Sequence, residues 1–249
     1  MKQARLLAGL LLVLLGAPSQ AREWVVVGAA FPRIYERNAQ GDFTGLATEI
    51  LERFAAARGD RVRFLLHPWS RAQRMAIRGE ADILVGPYAT LERRQRLGYS
   101  RLPFYRDLIQ LYGRADRPLD WRGDYRRLDG LRVAVVRGWT YGERFRAESG
   151  RLQPARVGSV ANGLRMLDAG RIDLLAANAR HIEDDLPALG LAGRVTPLSP
   201  PLDIQDGYFA FFRDPEHDAL RDAFDLAFAR LREDGGLARL AERLGVTVP

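Results

Sequence analysis

The chain has 249 residues, no cysteine, three histidines and a formal net charge of +7. Without cysteine there is no disulfide, no thiol chemistry and no cysteine-rich metal site, a composition compatible with an oxidising compartment. Arginine supplies nearly all of the positive charge and is scattered instead of gathered in a basic block, which describes a solvated surface and argues against nucleic-acid binding.

The first residues read as an export signal. Lys2 and Arg5 give a positive n-region, Leu6 to Leu15 an apolar h-region, and Ser19-Gln20-Ala21 a small-x-small cleavage site. We expect cleavage after Ala21. The apolar run is well short of the roughly twenty residues that span a bilayer, and no later run approaches that length. Removing 21 of 249 residues leaves 228, enough for one large domain or two small lobes, and takes the net charge from +7 to +5.

Trp24 to Gly28 reads as a first strand that runs into the loop Ala29-Ala30-Phe31-Pro32, placing Phe31 at its carboxyl end. After a turn at Gln40 to Asp42, Leu46, Ile50, Phe54 and Ala57 recur at helical spacing before a stop at Gly59. Val62 to Leu66 is a second strand. Trp69 follows in a strand-to-helix loop, where a large aromatic either covers the core or lines a cleft.

The next stretch, Met75 to Val85, recurs as Met166 to Ala176. In each copy a helical run ends at a glycine (Gly79, Gly170), and an aspartate (Asp82, Asp173) opens a short apolar run with the character of a buried strand. A helix feeding a strand, twice in one chain, argues for two α/β lobes of similar plan. Ligands of open α/β sheets sit beyond the carboxyl ends of the strands, which directs attention to Gly86 to Arg94 and to Ala177 to His181.

Thr90 and Arg93 lie just past the first of these strands. A guanidinium there can grip a carboxylate in a bidentate fork while a hydroxyl completes the site; the plain alternative is that Arg93 and Arg94 are surface charges. Leu108 to Tyr112 is a further apolar run, and Gly113 to Asp129 is polar and without periodicity, a connection between lobes. Leu131 to Val136 is another buried strand, ending in Gly138-Trp139-Thr140 ahead of a short helix around Tyr141 to Glu148, a junction that offers free amides to an anion. The second repeat's strand ends at Asn178. Pro197 to Pro201 breaks the chain, Tyr208 to Phe212 returns as a strand with no assignable neighbour, and His217 to Leu231 and Leu237 to Leu244 are closing helices.

In this order and spacing the residues resemble the type 3 extracellular solute-binding proteins of bacterial transport systems. The matching features run from Trp24 to Leu244: Gly41 to Glu49, Trp69, Gly79-x-x-Asp82, Thr90-x-x-Arg93, Ser100 to Tyr105, Leu128-x-Gly130, Gly138, Gly170-x-x-Asp173 and Asp234-Gly235. The resemblance implies an α/β, two-lobed periplasmic binding protein fold of type II, its lobes joined by a two-strand hinge with the ligand cleft between. We place one lobe over 22–113 and 203–249 and the other over 114–202.

The resemblance also implies site roles. Arg93 would clamp a ligand carboxylate with help from Thr90 and from Thr140 after Gly138, and Phe31 would pack on the ligand. The remaining candidates are Trp69, Tyr88, Trp139 and Asn178. Where relatives meet the ligand ammonium with an aspartate, this chain has Asn178, which supplies no countercharge. Either a shift of alignment brings in Glu183, Asp184 or Asp185, or the ligand lacks an ammonium.

Templates for catalysis fail: His67, His181 and His217 stand without metal spacing, and no H-E-x-x-H, G-x-S-x-G, G-x-G-x-x-G or Walker pattern occurs. Cyclohexadienyl dehydratases resemble the same scaffold, but the stretch Asn178 to His181 offers only His181 as a proton donor. The expectation is a monomeric periplasmic binder without metal or cofactor. It captures a small carboxylate-bearing solute for an inner-membrane permease, or alternatively for a receptor that senses it.

Overall fold

The computed structural model describes residues 21–249, so the expected export signal lies, but for Ala21, outside the described residues. The first half holds β1 (Glu23–Gly28), a hairpin of β2 (Glu36–Arg37) and β3 (Phe43–Thr44), α1 (Leu46–Arg58), β4 (Arg61–Leu66), α2 (Trp69–Ile77), β5 (Ile83–Tyr88), α3 (Leu91–Arg96) and β6 (Gly98–Tyr99). A long strand, β7 (Tyr105–Arg114), leads across to a 3-10 turn at Tyr125–Leu128, β8 (Val133–Val136), α4 (Glu143–Leu152), β9 (Ala155–Val157), α5 (Val160–Asp168), β10 (Leu174–Asn178), α6 (Ala179–Ala188) and β11 (Val195–Pro197). A second long strand, β12 (Asp203–Phe211), returns, and α7 (Pro215–Glu233) and α8 (Gly236–Leu244) close the chain.

Apart from the β2-β3 hairpin, the strands form one curled sheet in the order β4-β1-β5-β12-β7-β10-β8-β9, with β6 also pairing with β12 and β11 with β7. On one side β1 runs parallel to β4 and β5; on the other β8 runs parallel to β9 and β10. Between them β7 and β12 run antiparallel to one another and to their outer neighbours, as the two crossover strands of a two-lobed fold. The last strand, without a partner in the sequence, pairs Phe209 with Val85 and Asp203 with Ile109. It begins at Asp203, well before the apolar run, because pairing with β7 holds its polar first half.

Both copies of the repeated motif are built alike. Past Gly79 and Gly170, both at positive φ, the amides of Glu80 and Arg171 donate to the carbonyls of Met75 and Met166, closing helix-ending turns. Asp82 Oδ2 then accepts the Val25 amide at 2.6 Å, and Asp173 Oδ2 the Arg132 amide at 2.8 Å. Each aspartate thus ties its own strand to the start of the parallel neighbour. Asp82 also accepts from His217 Nε2 at 2.7 Å, which links the first repeat to α7.

Alternation along the second half shows that both sheet faces are covered. Val133, Val135, Leu174 and Ala176 belong to the large core that runs through the first half, while Ala134, Val136, Leu175 and Ala177 face a separate core with Leu164 and Leu167 of α5. No helix among the described residues is long and apolar enough to cross a membrane.

The chief departure from the sequence reading is α6. No element was expected between Asn178 and Pro197, yet the chain turns into a helix directly after Asn178, whose Oδ1 accepts the His181 amide at 3.0 Å. Only Ile182 of its apolar residues is fully buried, so the periodic signal is weak. The short helix expected at Tyr141 to Glu148 starts instead at Glu143 and runs to Leu152, and β2, β3, β6, β9 and β11 are too short for periodicity to reveal.

Candidate functional site

Loops and helix starts beyond the carboxyl ends of β1, β5 and β8 converge on one small cavity. It is lined by Phe31, Trp69, Gly86, Tyr88, Arg93, Trp139 and Thr140. Phe31 follows β1, Trp69 opens α2, Gly86 and Tyr88 end β5, and Arg93 lies on α3, whose first turn is capped by Thr90 Oγ1 accepting the Arg93 amide at 3.2 Å. Trp139 and Thr140 come from the other half, past β8. Gly86 has φ 79°, and a Cβ there would stand 3.0 Å from the Tyr105 hydroxyl and 3.1 Å from the Phe31 ring.

The two halves meet over the Gly138 carbonyl, which accepts from Trp69 Nε1 at 2.9 Å and from an Arg93 terminal nitrogen at 2.9 Å. The other terminal nitrogen of Arg93 donates to the Tyr88 carbonyl at 3.0 Å, and the guanidinium lies 5.6 Å from the Trp69 ring centre. Among the described residues no carboxylate pairs with it. Burial works against this cation and lowers its pKa, with nearby tyrosines and Glu92 only partly opposing. Thr140 Oγ1 is buried without a hydrogen-bond partner. With the halves closed, the side chains leave about 10 Å³, the space of a single water.

Behind Tyr88 lies a buried polar cluster centred on Asp107 of β7. Arg180 holds its carboxylate in a fork, Nε to Oδ1 at 3.1 Å and a terminal nitrogen to Oδ2 at 2.8 Å. The Tyr88 hydroxyl donates to Oδ2 at 2.6 Å and Asn178 Nδ2 at 3.1 Å. Burial opposes the Arg180 charge, but Asp107 more than offsets it and the guanidinium is held above its usual range. Burial, helped by Asp107, pushes the Tyr88 phenol well up. Arg180 also donates to the Pro32 carbonyl at 2.7 Å, so the cluster joins both halves.

His181 packs edge-on to Phe31 and Trp139, at 5.7 and 5.0 Å between ring centres. Its nitrogens face Asn178 Oδ1 at 2.7 Å and the Ala30 carbonyl at 3.2 Å. Burial, then Arg180, pulls its pKa down to about 3, outweighing the Ala30 carbonyl that favours the charged ring. The ring is therefore neutral near pH 7.

Of the residues singled out from sequence, Phe31, Trp69, Tyr88, Arg93, Trp139 and Thr140 line the cavity; Gly138 contributes its carbonyl; Thr90 caps α3; and Asn178 stands behind Tyr88. Glu183 and Asp184 are exposed on α6 near Arg33, at 2.8 and 3.6 Å, and Asp185 does not line the cavity. Gly86 and Arg180 fall within the two stretches that the sequence pointed to but were given no role there, and Asp107 was passed over. The signal for Asp107 was present: it falls in phase with Tyr105, Ile109 and Leu111 on the inward face of β7, while Leu108 faces out.

Comparison with known proteins bears on the fold and the family. In fold, the chain is similar to a histidine kinase sensor domain with similarity to periplasmic binding proteins, at TM-score 0.81 and 23% identity over 92% of this chain and 99% of that one. It is also similar to an ABC uptake transporter substrate binding protein from Streptococcus pneumoniae with bound histidine, at TM-score 0.75 and 16% identity over 89% and 92% of the two chains. A third likeness is to an ancestral arginine-binding protein bound to arginine, at TM-score 0.77 and 16% identity over 89% and 97%. No curated protein matches in sequence. The sequence pattern of the bacterial extracellular solute-binding proteins, family 3, matches residues 24–246, and the chain belongs to that family.

Proposed function

We propose that the protein captures a small carboxylate-bearing solute, a polar amino acid or a related acid, between its lobes and hands the closed form to an ABC-type membrane transporter. In this reading residues 1–21 are removed on export to the periplasm, one lobe spans 22–113 and 203–249, and the other 114–202. The observation that carries it is Arg93: a desolvated guanidinium at the lobe interface whose partners are two neutral carbonyls. Guanidinium forks match carboxylates, and the unpartnered hydroxyl of Thr140 beside it is a further donor. Phe31, Trp69, Tyr88 and Trp139 would pack on the body of the solute.

Binding without catalysis suits the same site. His181, packed between aromatic rings behind the cavity wall, is neutral, so it is not charged to act as the acid for a leaving hydroxyl. The decisive experiment is thermal unfolding of the mature protein against amino acids, amines and organic acids. Ligand at a hundredfold over its Kd adds about 2.7 kcal/mol, or roughly 5 to 11 °C for a chain of this size. No shift with any carboxylate would sink the proposal.

The likeness to a histidine kinase sensor domain, over 99% of that domain, favours a second reading in which the closed form docks on a membrane receptor. Capture of the membrane partner by the liganded protein separates the two: a permease supports transport, a receptor supports sensing.

A further inference from the structure

A zwitterionic amino acid brings two charges into a closing cleft, and each needs an opposite charge or several hydrogen-bond partners once water leaves. The cavity lining carries one cation, Arg93, and no carboxylate. Glu92, next to Arg93, is exposed on α3 and outside the cavity lining, and Asp107 is committed to Arg180, Tyr88 and Asn178 and lies behind the Tyr88 side chain. Asn178 is committed as well: Nδ2 points to Asp107, and Oδ1 accepts from the start of α6 and faces the His181 ring. His181 is neutral, and the acids of α6 lie outside the cavity. An ammonium would therefore share a dry space with the Arg93 guanidinium and meet no countercharge. Four aromatic side chains, Phe31, Trp69, Tyr88 and Trp139, form the rest of the wall and favour a flat or apolar body.

We propose that the solute is a small monocarboxylate with an apolar body and no ammonium group, because Asp107 and Arg180 neutralise each other where an amine would otherwise be met. This rests on the carboxylate-binding reading above and narrows it. The buried pair acts as a specificity determinant: it supplies the acid an amine would seek and cancels it in the same step.

The test is calorimetric titration of purified protein, freed of bound solute by unfolding and refolding, with matched compounds. L-Phenylalanine is compared with 3-phenylpropanoate and phenylpyruvate, L-leucine with 4-methylpentanoate, and 2-phenylethylamine serves as the amine without a carboxylate. At least one amine-free acid is expected to bind about a hundredfold or more tighter than its amino acid, the scale of an uncompensated buried charge. Arg93→Gln is expected to abolish that binding while the unfolding midpoint of the free protein is retained. An amino acid that binds as tightly as its amine-free partner overturns this inference and leaves carboxylate capture standing. Binding of 2-phenylethylamine, or unchanged acid affinity in the Arg93→Gln protein, overturns both. Absence of binding by every compound at millimolar concentration overturns the apolar monocarboxylate class, while the broader panel above still tests carboxylate capture.

Discussion

Asn178 donates its side-chain amide to the Asp107 carboxylate at 3.1 Å, across the boundary between the second repeat's strand and the crossover strand β7. The amide is required at that place. A carboxylate there would face Asp107 with no proton between them, and Arg180 is already shared between Asp107 and the Pro32 carbonyl. Asn178→Asp is therefore expected to cost on the order of 3 kcal/mol at pH 7. Urea or thermal unfolding measures this, and a variant as stable as the parent would contradict the account of the cluster.

Arg93→Ala removes the cation at the lobe interface along with its bonds to the Tyr88 and Gly138 carbonyls. The Tyr88 carbonyl keeps the Tyr99 hydroxyl as a donor and the Gly138 carbonyl keeps Trp69 Nε1, so the fold should hold, with a change of no more than about 1 kcal/mol. Affinity for the solute should fall at least about a hundredfold, as expected for a charged partner lost from a desolvated carboxylate. Titration and unfolding of the same sample read the two effects separately.

Asp82→Ala should do the opposite. It strips the partner from the Val25 amide and from His217 Nε2, both at the seam between β1, β5 and α7, and lies away from the cavity. A loss of about 2 to 3 kcal/mol in stability is expected, with solute affinity within about twofold of the parent. A large fall in affinity with intact stability would assign Asp82 a role at the site.

His181 makes stability depend on pH. Folding lowers its pKa from 6.5 to about 3, so between those values the unfolded chain carries a proton that the folded chain does not. Its contribution is present in full above pH 6.5 and is lost as pH falls toward 3, at a slope of up to about 1.4 kcal/mol per pH unit. The groups facing the ring are Arg180 and Arg33, both cations at these pH values. Comparison of unfolding at pH 7.5 and pH 5 in the parent and in His181→Gln isolates the effect. The variant should show the shallower dependence, and equal slopes would place the protonation elsewhere.

Local chemistry alone disclosed a good part of this protein. The repeated helix, glycine and aspartate of Met75 to Val85 and Met166 to Ala176 disclosed two α/β units, because a positive-φ glycine and a buried strand leave marks within a dozen residues. Aromatic and arginine positions beyond the strand ends were legible for the same reason. The helix after Asn178 was not, since one fully buried apolar side chain on α6 makes a faint pattern.

What tertiary structure decided is the balance of charge. By itself the sequence determined a solute-binding fold built from two α/β units, with Arg93 just past one buried strand and Asn178 at the end of the other. It contained no sign that Asp107 and Arg180, far apart in the chain, would meet in a buried fork behind that asparagine. Such a pairing depends on the crossover of β7 against β10, which sets Asn178 opposite Ile109 and carries Asp107 to the start of α6. Burial then gives the encounter its weight: charges that would be screened in water are strong in a dry interior, and only the folded chain determines which are left unpaired.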